Sequence, residues 1–181
     1  RDIGVTGVQT CALPIYRIPE KWTSLDELFQ FLSVLNDPNI QEWDVSRITS
    51  MNKTFSGCAK LNLDFSKWNV SRVTDMSWMF QACYEFVGNG LDKWDVSKVN
   101  DMSYMFSSCN ALDGDKLVNW KTGSLVNASS MFSNMQFNSD ISGWNTSKLQ
   151  NVVNMFAYNT AFNQDISGWN TQSLRDRKSV V

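Results

Sequence analysis

Apolar residues return along this chain about every 25 positions, and within each period they occupy the same places. Counted from the tryptophans at 43, 68, 94, 120, 144 and 169, the intervals are 25, 26, 26, 24 and 25 residues. At +5 stands an aliphatic residue (Ile48, Val73, Val99, Leu125, Leu149, Leu174), and at +8 stand Met51, Met76, Met102, Ala128 and Val152. Position +12 is Phe55, Phe80, Phe106, Phe132 and Phe156, and +15 is Cys58, Cys83, Cys109, Met135 and Asn159. Position −3 is also apolar in every unit: Ile40, Phe65, Leu91, Leu117, Ile141 and Ile166. A unit of this length cannot bury its apolar side alone and must stack on copies of itself.

Two local periodicities alternate inside the unit. Steps of three and four from +5 to +15 are those of one helix face and predict helical turns at about 49–57, 74–82, 100–108, 126–133 and 150–157. The stretch ending at the tryptophan, such as DISGW at 140–144 or DFSKW at 64–68, is short, bounded by turn residues, and predicts a strand. Polar residues after it, as in WDVS from Trp94, predict a turn, and Thr74 or Asn100 before an acid suits a helix start. Length varies only between the phenylalanine and the next tryptophan, which places the loop there. The fold class expected is therefore an α/β repeat solenoid over 40–174, with right-handed coils of strand, turn, short helix and loop: five full and one partial. Ahead of it, within 16–39, Ser24 and Glu27 form a capping box. Leu25, Leu28, Phe29, Leu32 and Leu35 then follow at helical spacing until Asp37-Pro38 stops the run, predicting an N-terminal capping helix.

NVSRVTDMSWMFQAC at 69–83, DVSKVNDMSYMFSSC at 95–109 and FNQDISGWNTQSL at 162–174 resemble the repeat of BspA-like leucine-rich-repeat surface proteins, the mycoplasma surface lipoprotein repeats included. The resemblance covers about residues 24–174, and several slots agree in each of five units. It implies a cell-surface or secreted role in binding protein or glycan, most often adhesion. The fourth unit departs most, with Ala128 at +8, Gly123 in the turn and WKTGSL in place of WDVSKV. The ends stand apart. RDIGVTGVQTCALPI at 1–15 resembles translated sequencing adapter, and RDRKSVV at 175–181 resembles another such segment. Arg177 supports this, because it puts a charge in the apolar +8 slot, where burial without a partner costs several kcal/mol. A leader or anchor is then not expected to be visible here.

Composition narrows the function. The 181 residues suffice for one domain, and 16 basic against 18 acidic residues, interspersed, give a net charge of −2 with no footprint for nucleic acid. No apolar run approaches the ~20 residues that span a bilayer. Of the four cysteines, Cys11 lies in the adapter-like end, while Cys58, Cys83 and Cys109 share one apolar slot and read as a ladder of buried free thiols. Histidine is absent, which removes the commonest general base and metal ligand. Acids recur in fixed slots, Asp44 and Asp95 at +1 and Asp75 and Asp101 at +7, as caps do rather than catalysts. An enzyme is not expected, nor any cofactor. Calcium could use stacked Asp and Asn oxygens, but the +1 row reads Asp44, Asn69, Asp95, Lys121, Asn145, Asn170, and its lysine interrupts an ion row.

Candidate binding residues lie where the repeat varies. The tryptophan column itself has two readings, a packed core with bonded indoles or an exposed aromatic track; recurrence in every unit favours the core. Position +10 reads Lys53, Trp78, Tyr104, Ser130, Asn154, and its changing polarity implies solvent. Trp78 and Tyr104 fall in adjacent units and should form an exposed aromatic pair. Glu42, Lys67, Asp92, Lys93 and Asn119, just before the tryptophans, should line the expected strand face. Sequons at Asn52, Asn69, Asn127 and Asn145 follow from the repeat chemistry. The leading expectation is a surface module that binds extracellular protein or glycan; the alternative is a structural spacer in a longer stalk.

Overall fold

Residues 17–175 are described in the computed structural model of the chain. The adapter-like segments at 1–15 and, apart from Arg175, at 175–181 lie outside the described residues, Cys11 and Arg177 included. The apolar step of three turns out to be the step of consecutive tight turns. In the second unit the amides of Trp68, Val73, Met79, Cys83 and Phe86 donate to the carbonyls of Phe65, Val70, Met76, Phe80 and Cys83, each three residues back, at 2.9–3.2 Å. Between these closures every second amide leaves its own coil. Met76, Trp78, Phe80 and Ala82 donate to the carbonyls of Asp101, Ser103, Met105 and Ser107 in the next coil at 2.8–3.0 Å. The same four slots are joined at each junction from Leu25 to Ala157.

That arrangement corrects the expected α/β repeat solenoid. Among the described residues there is no α-helix and no strand; the helical elements are 3-10 turns at Pro38–Glu42, Leu91–Lys93 and Gly114–Leu117. An α-helix needs successive amides to return to the carbonyl four residues back, and here alternate amides are committed to the neighbouring coil. Backbone geometry enforces the difference. Slot +10 is left-handed in every unit (Lys53, Trp78, Tyr104, Ser130 and Asn154, φ 53–59), as is slot +14 (Gly57, Ala82, Ser108, Asn134 and Tyr158, φ 55–76). A left-handed residue costs an L-amino acid roughly 1–2 kcal/mol and ends a right-handed helix. The inter-coil hydrogen bonds offset that cost at about 1 kcal/mol each. Turns and helices share steps of three and four, so the apolar pattern alone did not separate them.

The expected strands fail for a related reason. Each tryptophan closes a turn on the residue at −3, as Trp68 does on Phe65 at 3.0 Å and Trp144 on Ile141 at 3.1 Å. The turn places two residues an odd number apart on one side, which an extended strand cannot do. What pairing there is consists of single parallel bridges at slot +7, running Ser24, Ser50, Asp75, Asp101, Asn127, Asn151.

The capping helix is replaced by a further copy of the turn ladder. Leu25, Glu27, Phe29 and Phe31 donate to the carbonyls of Ser50, Asn52, Thr54 and Ser56 at 2.7–3.0 Å, and Glu27 and Phe31 are left-handed. Ser24 does accept from a following amide, but from Asp26 at 2.9 Å, in a turn. Phe29 thereby becomes the first ring of the +12 column.

That column is the core. Phe29, Phe55, Phe80, Phe106, Phe132 and Phe156 stack with centroids 5.5–6.2 Å apart and planes within 16° of parallel. Beside it, Cys58, Cys83 and Cys109 are buried free thiols, and each donates to a phenylalanine carbonyl of the preceding coil (Phe29, Phe55, Phe80) at 2.8–3.1 Å. Trp43, Trp68, Trp94, Trp120 and Trp144 are buried as well. The indoles of Trp68, Trp94, Trp120 and Trp144 donate to the −3 carbonyls of the coil before, Ile40, Phe65, Leu91 and Leu117, at 2.8–3.1 Å. The tryptophan column is core, not an exposed track.

Candidate functional site

Two surfaces carry the residues singled out from the sequence. The first is the outer side of the turn ladder. Its slots +10 and +14 are left-handed in every unit, lie off the column of rings, and vary in chemistry from unit to unit. Along +10 the chemistry changes pairwise. Glu27 and Lys53 form an ion pair at 2.9 Å, both partly exposed. Trp78 and Tyr104 follow, half-buried, with centroids 3.9 Å apart and planes 13° from parallel. Ser130, buried, and Asn154, exposed, complete the row. The stack covers one face of each ring.

Slot +14 was missed in the sequence reading. It carries Phe31, 72% exposed, at one end and Tyr158, 85% exposed, at the other. Phe31 lies over Gly57, where a β-carbon would come within 2.5 Å of its ring, so the left-handed φ of 76° and the overlying ring both call for glycine. Where the aromatic row gives way to Ser130, a groove of about 510 Å³ opens between Tyr104 and Tyr158. The slot is the residue immediately before each Cys-slot position, and of Gly57, Ala82, Ser108, Asn134 and Tyr158 only the glycine announces a left-handed backbone in the sequence.

The second surface precedes the tryptophans. Glu42, Lys67, Asp92, Lys93 and Asn119 are all exposed, but they sit on tight turns and not on a strand face. Lys67 bonds Glu42 across adjacent coils at 2.5 Å, and Lys93 pairs with its neighbour Asp92 at 2.9 Å. Such exposed pairs are screened by solvent and contribute little to stability. Asn119 lies apart from them, in a depression of about 490 Å³ that also involves Lys121, Gly123, Asp140 and Gly143. This is where the fourth unit departs from its neighbours. Gly123 and Lys121 replace the side chains that close the turn elsewhere, and the surface sinks.

The recurrent acids are turn caps. Asp44, Asp95, Asp140 and Asp165 each accept from the amide two residues on, Ser46, Ser97, Ser142 and Ser167, at 2.9–3.0 Å. Bonds from those serines hold all four carboxyls below their ordinary value of 3.8. Asp75 and Asp101 likewise accept from the amides of Ser77 and Ser103, at 2.8 Å. A carboxylate held ionised by its own turn is poorly suited to proton transfer near neutrality. The thiols are equally unsuited to nucleophilic work. Burial pushes Cys58 and Cys109 up to about 12 and Cys83 well above its ordinary value, so the thiolate that reacts is scarce.

Among the described residues no helix is long and apolar enough to cross a membrane. No curated protein and no solved structure matches the chain. The family described as "Mycoplasma protein of unknown function, DUF285" matches at residues 20–109 and again at 85–181, and with most of its length so matched the chain belongs to that family.

Proposed function

We propose that this chain is part of a cell-surface or secreted repeat protein and works by binding an extracellular protein or glycan, not by catalysis. The repeat's likeness to the BspA-type surface proteins supports the compartment and the class of role. One observation carries the reading: the stacked, half-exposed Trp78–Tyr104 pair, set in slots the core does not need. Rigid aromatics lose little side-chain freedom on binding and dominate interface energetics. A spacer has no use for two large rings held face to face at the surface.

The test is capture by the chain of immobilised matrix proteins and arrayed glycans, comparing three proteins. Trp78→Ala should weaken capture by ~2 kcal/mol or more, as loss of a hot spot does. Lys53→Ala, in the same slot, should change little. Equal capture by the parent and both variants would remove the aromatic pair as the binding site and move attention to Glu42, Lys67 and Lys93.

A further inference from the structure

We infer that the groove between Tyr104 and Tyr158 is a carbohydrate subsite that takes a short run of neutral sugar rings. This rests on the reading above, that the outer ladder side is a binding face, and gives that face a ligand class. The groove exists because the +10 row drops from Trp78 and Tyr104 to Ser130. Tyr104 forms one wall; Tyr158, two coils further on, forms the other. Two coil steps at ~4.8 Å are roughly 10 Å, an oligosaccharide's scale and not a single ring's. The floor is hydroxyl: Ser133 donates to the Ser130 carbonyl at 3.0 Å and lies 2.9 Å from the Ser107 hydroxyl. At the rim, Asn134 donates to the Ser108 hydroxyl at 2.9 Å, which fixes the amide's orientation.

The chemistry selects among ligands. A sugar ring presents an apolar C–H face and a polar edge, and this groove offers aromatic walls above a floor and rim of hydroxyls and amides. Not one of its lining residues is charged. Phosphorylated or acidic ligands call for cations, and an apolar peptide anchor calls for an apolar floor. The Tyr104 wall is already ordered, since its other face rests on Trp78. Tyr158 contributes little to packing at 85% exposure, yet its backbone is held in the left-handed turn at φ 59. That left-handed turn is common to slot +14 in every unit, so what is particular to Tyr158 is its exposed ring, which a ligand in the groove would cover.

The experiment is calorimetric titration of the chain with maltohexaose, chitohexaose and a poly-N-acetyllactosamine chain, repeated on Tyr158→Ala and Ser130→Trp. Slot +10 already holds Trp78 at the same backbone angle, so Ser130→Trp should fold and fill the groove; an unchanged melting curve verifies this. The expected result is binding of at least one probe, weakened about ten-fold or more by each variant, as loss of an anchor does. Absence of binding by all three at millimolar concentration overturns the inference, as does binding that survives both variants. If Trp78→Ala abolishes capture of a matrix protein while Tyr158→Ala and Ser130→Trp leave it intact, the face binds and the sugar assignment falls alone. If Trp78→Ala leaves all capture unchanged, the reading of the face falls with it.

Discussion

Each coil is fastened to its neighbours in two different ways on its two sides. From +7 to +15 the joint is backbone to backbone, four amides per coil reaching carbonyls of the next. Around the tryptophan side chains reach backbone, through the indole and, in later units, through Thr122 and Thr146, whose hydroxyls donate to the carbonyls of Asn145 and Asn170, together with backbone bonds at +6, such as Thr74 to Thr49. The ladder therefore tolerates substitution: Met, Ala and Val all serve at +8. The other side has fewer backbone bonds and leans on one side chain, the tryptophan that recurs in all six units. The fourth unit shows the independence of the two. It alters the turn after Trp120, yet Ala128, Ser130, Phe132 and Asn134 still donate to Asn151, Val153, Met155 and Ala157.

The largest break in this contrast should come from the column behind the ladder. Phe106→Ala empties a fully buried site between two stacked rings and should cost about 3–5 kcal/mol in denaturant unfolding. A loss under about 1 kcal/mol would mean the ladder needs no ring column. Neighbouring coils should share the loss, since stacked repeats are stabilised through nearest-neighbour contacts.

pH should then separate the two sides. The ladder's thiols have folded values raised to about 12 at Cys58 and Cys109, from an ordinary 9.0, by burial. Raised folded values stabilise below the unfolded one, so that contribution is whole below pH 9 and drains away between pH 9 and 12. Asp44, Asp95, Asp140 and Asp165, all beside the tryptophan turn, are lowered by bonds from serine. Their contribution is present above 3.8 and disappears as pH falls through the folded values. Thermal melts across pH should show a steep alkaline limb that Cys109→Ala flattens, and a shallower acid limb that it leaves alone. An alkaline limb indifferent to that variant would discard the burial argument.

A smaller effect should come from the indole bond. Trp120→Phe keeps an aromatic ring but removes the donor to the Leu91 carbonyl, held at 2.8 Å. That carbonyl still accepts from Trp94, so the cost should be about 1–2 kcal/mol, one net hydrogen bond plus a little volume. The smallest change is the sharpest discriminator of turn from helix. Ala82→Gly would cost about 1 kcal/mol in a helix interior. At the observed φ of 56° it should be neutral or stabilise by up to about 1 kcal/mol. A clear loss of stability would argue for the helix.

Much of this was legible from the residues. The repeat, its frame, the buried phenylalanines, the free thiols, the indole bonds and the acids as caps all followed from slot identity and elementary chemistry. The secondary structure did not. Val73, Met76, Phe80 and Cys83 are spaced as on a helix, and only the backbone sign at Trp78 and Ala82 distinguishes a run of turns, which no side chain there announces. Non-glycine residues fill most left-handed slots, so the usual punctuation is missing. The capping box at Ser24 misled for the same reason: a serine before acids suits a helix start and an open turn equally. Trp78 and Tyr104 were found because their slot varies; Tyr158 was missed because +14 was not followed.

The ladder has one more property, which belongs to the stack as an object. In every junction from Leu25 to Ala157 the four ladder amides point toward later repeats and their partner carbonyls toward earlier ones. The peptide dipoles of successive coils are therefore aligned head to tail, about 3.5 D each, as they are along an α-helix. The chain runs across this axis, and although the amides at +6 point the other way, as Thr74 does to Thr49, the ladder side is electrically polar: positive toward the last coils, negative toward the first. A repeat array so built has a direction that an approaching ion can sense, and every coil added lengthens the same column of aligned charge.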